Sequence, residues 1–592
     1  MSESAEPWIV GIDLGTTNCA LAYAPPEEEK VQDYPVPQLV QPDTVETRPT
    51  LPSYLYIPSQ HEFASGSLSL PWDEIIDYAV GTLARDDGSK VPDRLIVSAK
   101  SWLCNAQVDR QLGILPWKSA EEVPKLSPVE VSTRFLKHLA DAWRFSRVGG
   151  NLGEHACYLT VPASFDAVAR ELTVEAAQKA GLENLTLLEE PQAAFYAWLE
   201  HMGESWRETV SLGDHILVCD LGGGTSDFTL IRVDQEEGQL SLTRVAVGDH
   251  LLLGGDNMDL ALAATVQARL KNEGHKIDSW QFQVLTHLCR SAKERLLALD
   301  PLELCPLTIP GRGSKLLGAS IATELTRSEV EQVILEGFFP KVEVGDWPQR
   351  QRGFGLTELG LAYESEPAIS RHLARFLGSH GPEGEFVKPS AILFNGGVCK
   401  SPGVQQRILE ILNGWLDAPV TVLPNDDCDL AVARGAAAYG RARQRGGVRI
   451  RGGLPRSYYI GVEVARPAVP GMAPPTKAIC VAAQGMEEGT SQNLPGLELG
   501  LVLGELVEFP FMTSNQRPED QPGQVVEDWE DEDEIEQIAT VTSILRSSEI
   551  EHPVVPVQLE TVATEVGTLE LWCQQKGAEG RWKLEFEVRE KK

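Results

Sequence analysis

Apolar and polar positions in the first 445 residues alternate between strand patterns and helix patterns. Residues 9–24 predict a hairpin, because two β-rich runs flank the polar stretch DLGTTN and no helical spacing follows the glycine. Residues 127–143 predict a helix, with Ser127 as its N-cap, Pro128 at the first helical position and Glu130 completing a capping box. The apolar stripe of this helix is formed by Val131, Phe135, Leu139 and Ala142.

The same alternation continues up to about residue 445. ACYLTVPASF and SAILFNGGV predict strands, DAVARELTVEAAQKAG and SPGVQQRILEILNGW predict helices, and LTLLEEPQAAFYAWLE predicts a short strand that turns into a helix. A second hairpin is expected at 216–233. Strands that alternate with helices in this way are typical of an α/β fold.

The pattern changes after residue 445. RARQRGGVRIRGGLPRS is rich in Arg and Gly and predicts a linker. Beyond it the period is two, as in RWKLEFEVRE, which predicts an all-β sandwich or curved sheet with one solvated face. The inward positions of that last strand are Trp582, Leu584, Phe586 and Val588. An acidic run within about 515–537 predicts a solvated loop, and a docking site for a basic partner is the alternative.

Composition narrows the class of protein. The net charge of −34 over 592 residues argues against a nucleic-acid surface, which needs clustered Lys and Arg, and indicates solubility instead. No stretch resembles a membrane span or a signal peptide, so a cytoplasmic protein without a membrane partner is expected. Ten scattered cysteines without a CxxC pair indicate reduced thiols rather than a zinc site or disulfides.

Two glycine loops interrupt the apolar runs, in GIDLGTTN and CDLGGGTSD. Small residues allow backbone N–H groups to converge on an anion, and glycine permits the closest approach. Thr16, Thr17 and Thr225 add hydroxyl donors. Asp13 and Asp220 end the preceding strands, cannot bind phosphate directly and would hold Mg²⁺ through water. Two such loops in one chain favour a phosphate site over ordinary turns.

Together with further stretches, these loops resemble the seventy-kilodalton heat-shock chaperones of the DnaK type, within the actin and hexokinase superfamily. The further stretches are RPTLPSYLYI, LTVPASFDAVARELTVEAAQKAGLENLTLLEEPQAAFYAW, LLLGGDNMD and ILFNGGVCKSPGVQQRI. The resemblance covers most of residues 8–440 in order. It implies a two-lobed actin-like ATPase domain, a duplicated ribonuclease-H-like fold, at 1–447. A linker at 448–456 and a β-rich substrate-binding domain at 457–592 would follow.

The resemblance also implies roles for single residues, with ATP and Mg²⁺ as cofactors. Lys100 would contact the γ-phosphate and the attacking water, and Glu190 would lie near that water; Thr225, Asp220 and Asp13 complete the implied catalytic set. Pro162 and Arg170 would relay the nucleotide state toward the second domain. The implied nucleotide-binding residues are Gly15, Thr16, Thr17, Asn18, Gly222, Gly223, Gly224, Thr225, Gly254, Gly255, Lys293, Gly396, Gly397 and Asp429.

Several positions depart from the family pattern. The adenosine helix has Arg290, Glu294 and Leu297 where the family has Glu, Arg and Ser, and Arg295 is a candidate for the stacking guanidinium one residue late. Val398 and Lys400 replace the family's Ser and Arg after a glycine pair. Weaker nucleotide binding is therefore expected. The basic linker and the lack of room for a helical lid indicate a short, divergent member.

The leading hypothesis is an ATP-dependent chaperone-like protein that hydrolyses ATP slowly and binds unfolded or specific polypeptides with its C-terminal β domain. A co-chaperone or a nucleotide-exchange factor would be a further partner. The alternatives are a small-molecule kinase on the same fold, and an actin-like filament or nucleotide-sensing scaffold. An extra β unit of roughly 130 residues favours a binding protein over a kinase. The Glu-Pro turn and the VPASF strand favour the chaperone.

Overall fold

The computed structural model describes residues 7–584 apart from short stretches. Residues 585–592 lie outside the description, so the predicted alternation can be followed only to Leu584, which is buried. The stretches within 7–584 that are not described are 27–29, 106, 147–149, 237–238, 250, 312–319, 350–360, 362, 382–384, 447, 449, 452, 455, 465–475, 488, 495–498, 504–505, 515, 528, 530–533, 545–553, 565–568 and 578–579.

Helices and strands are mixed up to residue 451, and the elements given below for the described residues after it are strands. The α-helices are α1 (Thr82–Gly88), α2 (Ala99–Leu103), α3 (Pro128–Ser146), α4 (Ala167–Lys179), α5 (Glu190–Met202), α6 (Trp206–Thr209), α7 (Gly255–Asn272), α8 (Ser279–Leu296), α9 (Arg327–Glu331), α10 (Ile369–Ser379), α11 (Pro402–Trp415) and α12 (Ala431–Arg445). Short 3₁₀ turns occur at Pro92–Arg94, Leu152–Glu154, Gly203–Ser205 and Gly397–Lys400, and a π-helical turn occurs at Gln332–Glu336.

The strands of the α/β part are β1 (Ile9–Leu14), β2 (Asn18–Ala24), β3 (Gln32–Asp33), β4 (Val36–Gln41), β5 (Thr44–Arg48), β6 (Leu51–Pro52), β7 (Leu55–Tyr56), β8 (Ala79–Val80), β9 (Leu95–Ile96), β10 (Ala156–Val161), β11 (Leu185–Glu189), β12 (His215–Leu221), β13 (Ser226–Glu236), β14 (Gln239–Val247), β15 (Leu304–Ile309), β16 (Ile321–Thr326), β17 (Ala391–Asn395), β18 (Thr421–Leu423) and β19 (Ile450–Arg451). Those that follow are β20 (Ser457–Glu463), β21 (Thr476–Ala482), β22 (Thr490–Asn493), β23 (Leu499–Val502), β24 (Leu506–Ser514), β25 (Val525–Val526), β26 (Glu536–Ile544), β27 (Val554–Ala563), β28 (Leu569–Gln575) and β29 (Arg581–Leu584).

Two six-stranded sheets in the α/β part share one plan. Sheet I has the order β11-β10-β1-β2-β3, with β6 paired to β2, and sheet II has the order β18-β17-β12-β13-β14-β19. In each sheet, parallel strands lead to an antiparallel hairpin, β1–β2 in sheet I and β12–β13 in sheet II. Both predicted hairpins are therefore confirmed. The mixed α/β class of this part is confirmed as well.

The predicted helix at 127–143 is α3, and its cap is the predicted one. The backbone N–H of Glu130 donates to the Ser127 hydroxyl at 3.1 Å, and the Ser127 N–H donates back to the Glu130 carboxylate at 2.8 Å. The residues of the predicted apolar stripe are all buried: Val131, Phe135, Leu139 and Ala142. They belong to the hydrophobic core on one side of sheet I.

Helix α12 joins the two halves of the α/β part, because it lies between β18 and β19 of sheet II in the chain and packs against β1, β2 and β10 of sheet I. It also crosses α5 closely. A Cβ atom on Gly435 would overlap the Ala193 carbonyl of α5, and one on Gly11 of β1 would overlap the Ala433 carbonyl. Glycine is required at both positions because backbone meets backbone there.

The stretch predicted as a linker is partly regular, which corrects that prediction. Its first five residues, RARQR, form the last turns of α12. Arg441 within them donates to Glu200 of α5, so these arginines belong to the helix packing. Further on, β19 pairs in parallel with Leu242 and Thr243 of β14, and Ile450 is buried. Within the segment 448–456, Ile450–Arg451 therefore add an edge strand to sheet II.

The C-terminal region consists of two sheets. Sheet III has the order β25-β21-β20-β24-β26, and sheet IV has the order β22-β27-β28-β29, with β23 paired to β27. Side chains from both sheets meet in one hydrophobic cluster, for example Ile479 of sheet III and Leu571 of sheet IV. The strand character predicted for this region is confirmed.

The acidic run is less solvated than predicted. Trp529 and Ile535 are buried within it, and they pack with Tyr459, Cys480 and Met512 of sheet III. The indole N–H of Trp529 lies 3.2 Å from the Thr476 hydroxyl, as a donor. Two apolar residues thus anchor a segment that its charge alone predicted to be a solvated loop. In the described part of the chain, no helix has the length and apolar character needed to cross a lipid bilayer.

Candidate functional site

The two glycine loops face each other where sheets I and II meet. A Cβ atom on Gly224 would lie 2.9 Å from the Thr16 methyl group, and one on Gly223 would overlap the Thr17 hydroxyl. Asn18 begins β2 directly after the first loop. The structure therefore brings the predicted phosphate-binding residues of both loops together. Only residues without a side chain permit this approach.

The first loop is fixed by Ser53. Its hydroxyl donates to the Gly15 carbonyl at 2.7 Å, and its backbone N–H donates to the Thr17 carbonyl at 2.8 Å. A Cβ atom on Gly15 would overlap the Asn18 carbonyl, so the turn itself requires glycine. Ser53 lies in the stretch that resembles the family's Thr-Pro-Ser strand.

The second loop rests on the N-terminus of α7. The Gly222 N–H donates to the Thr225 carbonyl at 2.9 Å, and the Gly255 N–H donates to the Gly222 carbonyl at 3.0 Å. A Cβ atom on Gly254 would lie 2.7 Å from the Gly222 carbonyl oxygen. Because the first N–H groups of a helix lack intrahelical acceptors, this contact orders the loop and the helix start together.

A third pair of glycines lies beside Asp220. Gly396 has a φ of +83°, and a Cβ atom there would come 2.6 Å from Oδ1 of Asp220. No neighbouring atom lies within 4 Å of the corresponding position on Gly397. The close approach to Asp220 and the left-handed backbone explain why Gly396 is glycine.

Asp13 and Asp220 occupy equivalent places in the two sheets, near the ends of the central strands β1 and β12. Thr160 donates to Asp13 at 3.3 Å, and Asn395 donates to Asp220 at 2.9 Å. Burial, followed by the charge of Glu190, raises the pKa of Asp13 to about 7 and that of Asp220 to about 8. Neighbouring negative charges and low solvation thus oppose the ionised form of both carboxyl groups.

This donor set fits Mg²⁺ held through water. A divalent cation would offset the charge of two buried carboxylates that share the charged neighbour Glu190. Among the described residues, no group of three or more His, Cys, Asp or Glu side chains is arranged to hold a metal ion directly. Water and phosphate oxygens would supply the remaining ligands, which is common at Mg²⁺ sites.

Lys100 of α2 and Glu190 of α5 form an ion pair, and their side chains are 8% and 14% exposed. Burial opposes the charge on Lys100, but Glu190 and Asp13 outweigh it, so the pKa of Lys100 is raised. Burial raises the pKa of Glu190. A lysine that stays charged beside Asp13 is well suited to meet a phosphate group.

Thr225 belongs to a group of hydrogen-bonded polar side chains that was not predicted from the sequence. The side chains of Thr225 and Ser164 both hydrogen-bond to the carboxylate of Asp227, which is 5% exposed. Ser164 follows the predicted relay residue Pro162 by two positions. The one sequence signal for this chain was the second aspartate in CDLGGGTSD.

On the adenosine helix α8, Arg290 lies in a network of polar contacts. It donates to Asp259 at 2.7 Å, to Asp256 and to the Tyr54 hydroxyl. The Lys293 amino group lies 2.7 Å from Asp259 as well. Arg290 therefore neutralises carboxylates of α7 at the position where the family keeps a Glu.

The other departures from the family pattern have different surroundings. Glu294 and Arg295 are exposed, and Arg295 donates to the Cys305 sulfur at 3.7 Å, on the hairpin β15–β16. This contact gives no support to the prediction that Arg295 supplies the stacking guanidinium. Lys400 forms an ion pair with Asp429, which follows β18.

Two of the contacts that bridge the halves of the α/β part lie beside Lys100 and the adenosine helix, and neither was predicted from the sequence. Ser98 donates to Asp256 at 2.7 Å across 158 positions of the chain, and Arg290 donates to Tyr54 across 236 positions. Ser98 and Tyr54 precede sheet II in the chain, whereas Asp256 and Arg290 follow the second glycine loop. No local pattern marks such partners, because only the folded chain brings them together.

The predicted relay residues lie behind the site. Pro162 directly follows β10 and is buried, and the Phe165 N–H donates to its carbonyl at 3.1 Å. Arg170 of α4 is 5% exposed and donates to Glu189 at 2.9 Å. Glu189, at the end of β11, was not predicted from the sequence.

Comparisons with known proteins show which proteins this chain resembles. Residues 76–343 match the family model described as Hsp70 protein, a stretch that contains Lys100, Glu190 and the second glycine loop. A chaperone protein HscA homolog of Acinetobacter baumannii (strain AYE) is 28% identical over 365 residues, 59% of this chain and 50% of the relative. Those of Pseudomonas putida and Mannheimia succiniciproducens are 28% and 33% identical over 447 and 266 residues.

The alignment covers 72% of this chain and 56% of the relative for Pseudomonas putida, and 43% and 37% for Mannheimia succiniciproducens. The chain thus spans about half the length of the curated relatives it matches.

A mixed α/β protein with paired glycine loops is the class that the fold defines. Within that class, the chain is similar to proteins of the Hsp70 type.

Proposed function

We propose that this chain binds ATP with Mg²⁺ and hydrolyses it slowly. Proteins of the Hsp70 family are ATPases, which supports this class of reaction. The observation that carries the proposal is the meeting of both glycine loops with Asp13, Asp220 and the Lys100–Glu190 pair at one junction. Backbone N–H groups, paired carboxylates and one buried cation are what a bound triphosphate requires.

The residues would act by positioning and by charge. The loops would hold the β- and γ-phosphates, the Lys100 amino group would offset charge on the γ-phosphoryl group, and the Glu190 carboxylate would orient the attacking water. Mg²⁺, held through water by Asp13 and Asp220, would neutralise phosphate charge. Phosphoryl transfer depends almost entirely on such effects. Slow turnover would suit a switch, because each nucleotide state then persists.

We infer that the α/β part has the two-lobed arrangement of actin-like ATPases, with sheets I and II at the centres of the lobes. The shared plan of the two sheets and the nucleotide-binding loops between them support this inference. The domain bounds that go with it are 1–447, 448–456 and 457–592. The C-terminal sheets III and IV, which share one hydrophobic cluster, would form a β-sandwich.

We propose that the C-terminal region binds extended polypeptide, which would make the protein chaperone-like. The relatives named above carry the description chaperone protein, which supports this proposal. A sheet can hold an extended peptide through main-chain hydrogen bonds and through pockets for alternate side chains. Unfolded or specific polypeptides would be the clients, and a co-chaperone or exchange factor would be a further partner.

Single-turnover hydrolysis tests the ATPase proposal. Lys100→Ala and Thr225→Ala should each lower the rate constant by about 10²–10³-fold, since each removes charge or hydrogen bonding at the phosphates, and should change nucleotide affinity far less. Lys90→Ala is the control, because Lys90 pairs with Asp87 at the surface. Unchanged hydrolysis in both site variants would contradict the assignment. Transfer of the phosphoryl group to an added small molecule instead of water would favour a kinase.

Peptide binding is tested on the full chain with a labelled library of extended peptides, with and without ATP. Binding of apolar peptides that ATP weakens or accelerates is the expected result. A chain that turns over ATP but binds no peptide from a broad library would contradict the chaperone proposal and leave a nucleotide-sensing scaffold.

A further inference from the structure

Glu189 holds two arginines from different parts of the fold. Its carboxylate is nearly buried and accepts from Arg170 of α4 at 2.9 Å and from Arg244 of β14. The three side chains are 7%, 6% and 3% exposed. Glu189 ends a strand of sheet I, whereas Arg244 lies in sheet II. One carboxylate thus links the two halves of the α/β part, and removing one partner from such a buried group is strongly unfavourable.

Arg244 also holds the segment 448–456. While one of its terminal nitrogens donates to Glu189, the other donates to the Gly453 carbonyl. Gly453 has a φ of +67°, and a Cβ atom there would overlap the Gly485 carbonyl of the C-terminal region. Gly453 is therefore confined between Arg244 and the loop after β21, in a backbone conformation that favours glycine.

Backbone contacts fix the same segment just before Gly453. The Ile450 N–H donates to the Tyr196 hydroxyl at 2.9 Å, and β19 pairs with β14. A two-residue strand offers few hydrogen bonds, so its docking depends on the contacts beside it. Arg244 supplies the charged contact at that place, and a hydrogen bond from a charged donor is stronger than one between neutral groups.

Several positive charges lie where Glu189, Arg244 and the segment 448–456 meet. Arg456, directly before β20, is 7% exposed, and its Nε and Nη2 atoms have no hydrogen-bond partner in the part of the chain that is described. The charges of Arg170, Arg244 and Arg456 all act on the buried Tyr458 hydroxyl, as does that of Asp166. Without the charge of Glu189, three nearby guanidinium groups would repel one another more strongly. If the C-terminal region moved away, the Arg456 guanidinium would separate from those of Arg170 and Arg244.

We propose that Glu189 is the positioning residue that couples the nucleotide site to the segment 448–456, through Arg244. Glu190, the next residue, pairs with Lys100 in the site, whereas Glu189 pairs with the arginines behind it. Because one peptide bond joins the two residues, a backbone shift at Glu190 on nucleotide binding would be passed to Glu189. The nucleotide-dependent part of this inference rests on the proposed ATPase function. The contact that Glu189 makes with the segment 448–456 through Arg244, called the clamp below, does not rest on that function.

Limited trypsin digestion of the full chain tests the clamp. The segment contains cleavage sites at Arg449 and Arg451, and the rate of cleavage follows the population of the undocked form when docking is fast. Glu189→Gln keeps the size of the side chain and removes its charge, and should raise the rate of cleavage within 448–456 at least about tenfold. Glu190→Gln, the same change one position later, should leave this rate within about twofold and lower ATP hydrolysis instead.

Arg244→Lys is a second test of the clamp, which keeps the proposal testable if Glu189→Gln does not fold. Lysine keeps the charge but has one nitrogen, so it cannot reach both Glu189 and the Gly453 carbonyl in the same way. It should raise cleavage within 448–456 while the thermal midpoint stays near that of the unaltered chain. Normal cleavage within 448–456 in both Glu189→Gln and Arg244→Lys would overturn the clamp.

Adding ATP and Mg²⁺ separates the coupling from the clamp. ATP should change the rate of cleavage within 448–456 in the unaltered chain and have no such effect in Glu189→Gln. An equal effect of ATP on both chains would overturn the coupling. If ATP is neither bound nor hydrolysed by the unaltered chain while Glu189→Gln still accelerates cleavage, the proposed ATPase function fails and the clamp is supported.

Discussion

The hydroxyl of Ser98 lies 2.7 Å from the carboxylate of Asp256 and bridges the two halves of the α/β part. Asp256 is in the first turn of α7, which orders the second glycine loop, and Ser98 lies two positions before Lys100. We expect a nucleotide that is bound between the loops, as proposed above, to leave faster when such contacts loosen, and this contact to prolong its binding.

We expect Ser98→Ala to release bound ADP about ten- to a hundredfold faster, since one hydrogen bond to a charged group is worth roughly 1.5–3 kcal/mol. Stopped-flow displacement of a labelled nucleotide measures the rate. Ser89→Ala is the control, because the Ser89 hydroxyl bonds only a local carbonyl at the surface, that of Asp86. A dissociation rate equal to that of the control would show that the bridge does not retain the nucleotide.

A gain in affinity is expected when the adenosine helix is returned to the family pattern. Glu294 is exposed on α8 at the position where the family keeps its stacking arginine. Glu294→Arg would supply a guanidinium for the adenine ring, and one cation–π contact of about 0.5–2 kcal/mol tightens binding roughly three- to thirtyfold. Calorimetry with ATP and Mg²⁺ measures the change.

The matched control for this gain is Glu273→Arg, because Glu273 caps the C-terminus of α7 and is also exposed. Glu273→Arg changes the net charge by the same amount as Glu294→Arg, but it puts no guanidinium beside the adenine base. An affinity that rises by the same factor in both variants would mean that the phosphates respond to overall charge and that no stack has formed.

Much of the α/β part follows from local patterns. The helix α3 was predicted with its cap, because Ser127 and Glu130 interact with backbone groups three positions away. The two glycine loops were predicted as a shared site, because glycine next to aspartate inside an apolar run has few other uses. That both loops close on one site was implied by the family resemblance, whereas the close approach of Gly223 to Thr17 is visible only in the folded chain.

The parts that were missed depend on distant partners. The arginines in RARQR resemble a linker by composition, yet Arg441 pairs with Glu200 and continues α12. The strand β19 has two residues, too few for any periodicity, and exists because β14 offers an edge. Trp529 is buried within an acidic run whose charge predicted a solvated loop. In each case a tertiary contact outweighs the local signal.

Acid is expected to destabilise the α/β part through His138. This residue of α3 is buried, its Nε2 atom lies 2.9 Å from the Pro37 carbonyl, and burial lowers its pKa from 6.5 to about 4. Well above pH 6.5 the ring is neutral in both the folded and the unfolded chain, so it makes no pH-dependent contribution to the free energy of unfolding. Between pH 6.5 and 4 the unfolded chain binds the proton and the folded chain does not, so stability falls as the pH falls.

At pH 5 this difference lowers the free energy of unfolding by about 2 kcal/mol relative to pH 7. His138→Gln can still donate to the Pro37 carbonyl and does not titrate, so its loss of stability over this range should be smaller by that amount. Urea unfolding at the two pH values measures it. His201→Gln, at an exposed site beside Asp426, is the control. Equal pH dependence in His138→Gln and the control would exclude His138 as the cause.

The crossing of α5 and α12 offers the sharpest test of packing, because both helices begin at the candidate site. Glu190 is the first residue of α5, and Asp429 lies two positions before α12. At the crossing, a Cβ atom on Gly435 would overlap the Ala193 carbonyl and lie 2.9 Å from the Ala197 nitrogen. These are backbone atoms of a helix, so they cannot move aside as a flexible side chain would.

Gly435→Ala should therefore lower the free energy of unfolding by about 1–3 kcal/mol or more, although alanine is the better helix former. Gly414→Ala in α11 is the matched control: no atom lies within 4 Å of its Cβ position, so it should be neutral or stabilise by up to about 1 kcal/mol. Thermal unfolding compares the two variants. Because the crossing sets the distance between Glu190 and Asp429, Gly435→Ala should also weaken ATP binding, whereas Gly414→Ala should not. A stabilised Gly435→Ala would mean that α5 and α12 can separate without loss, and that their close contact does not hold the site together.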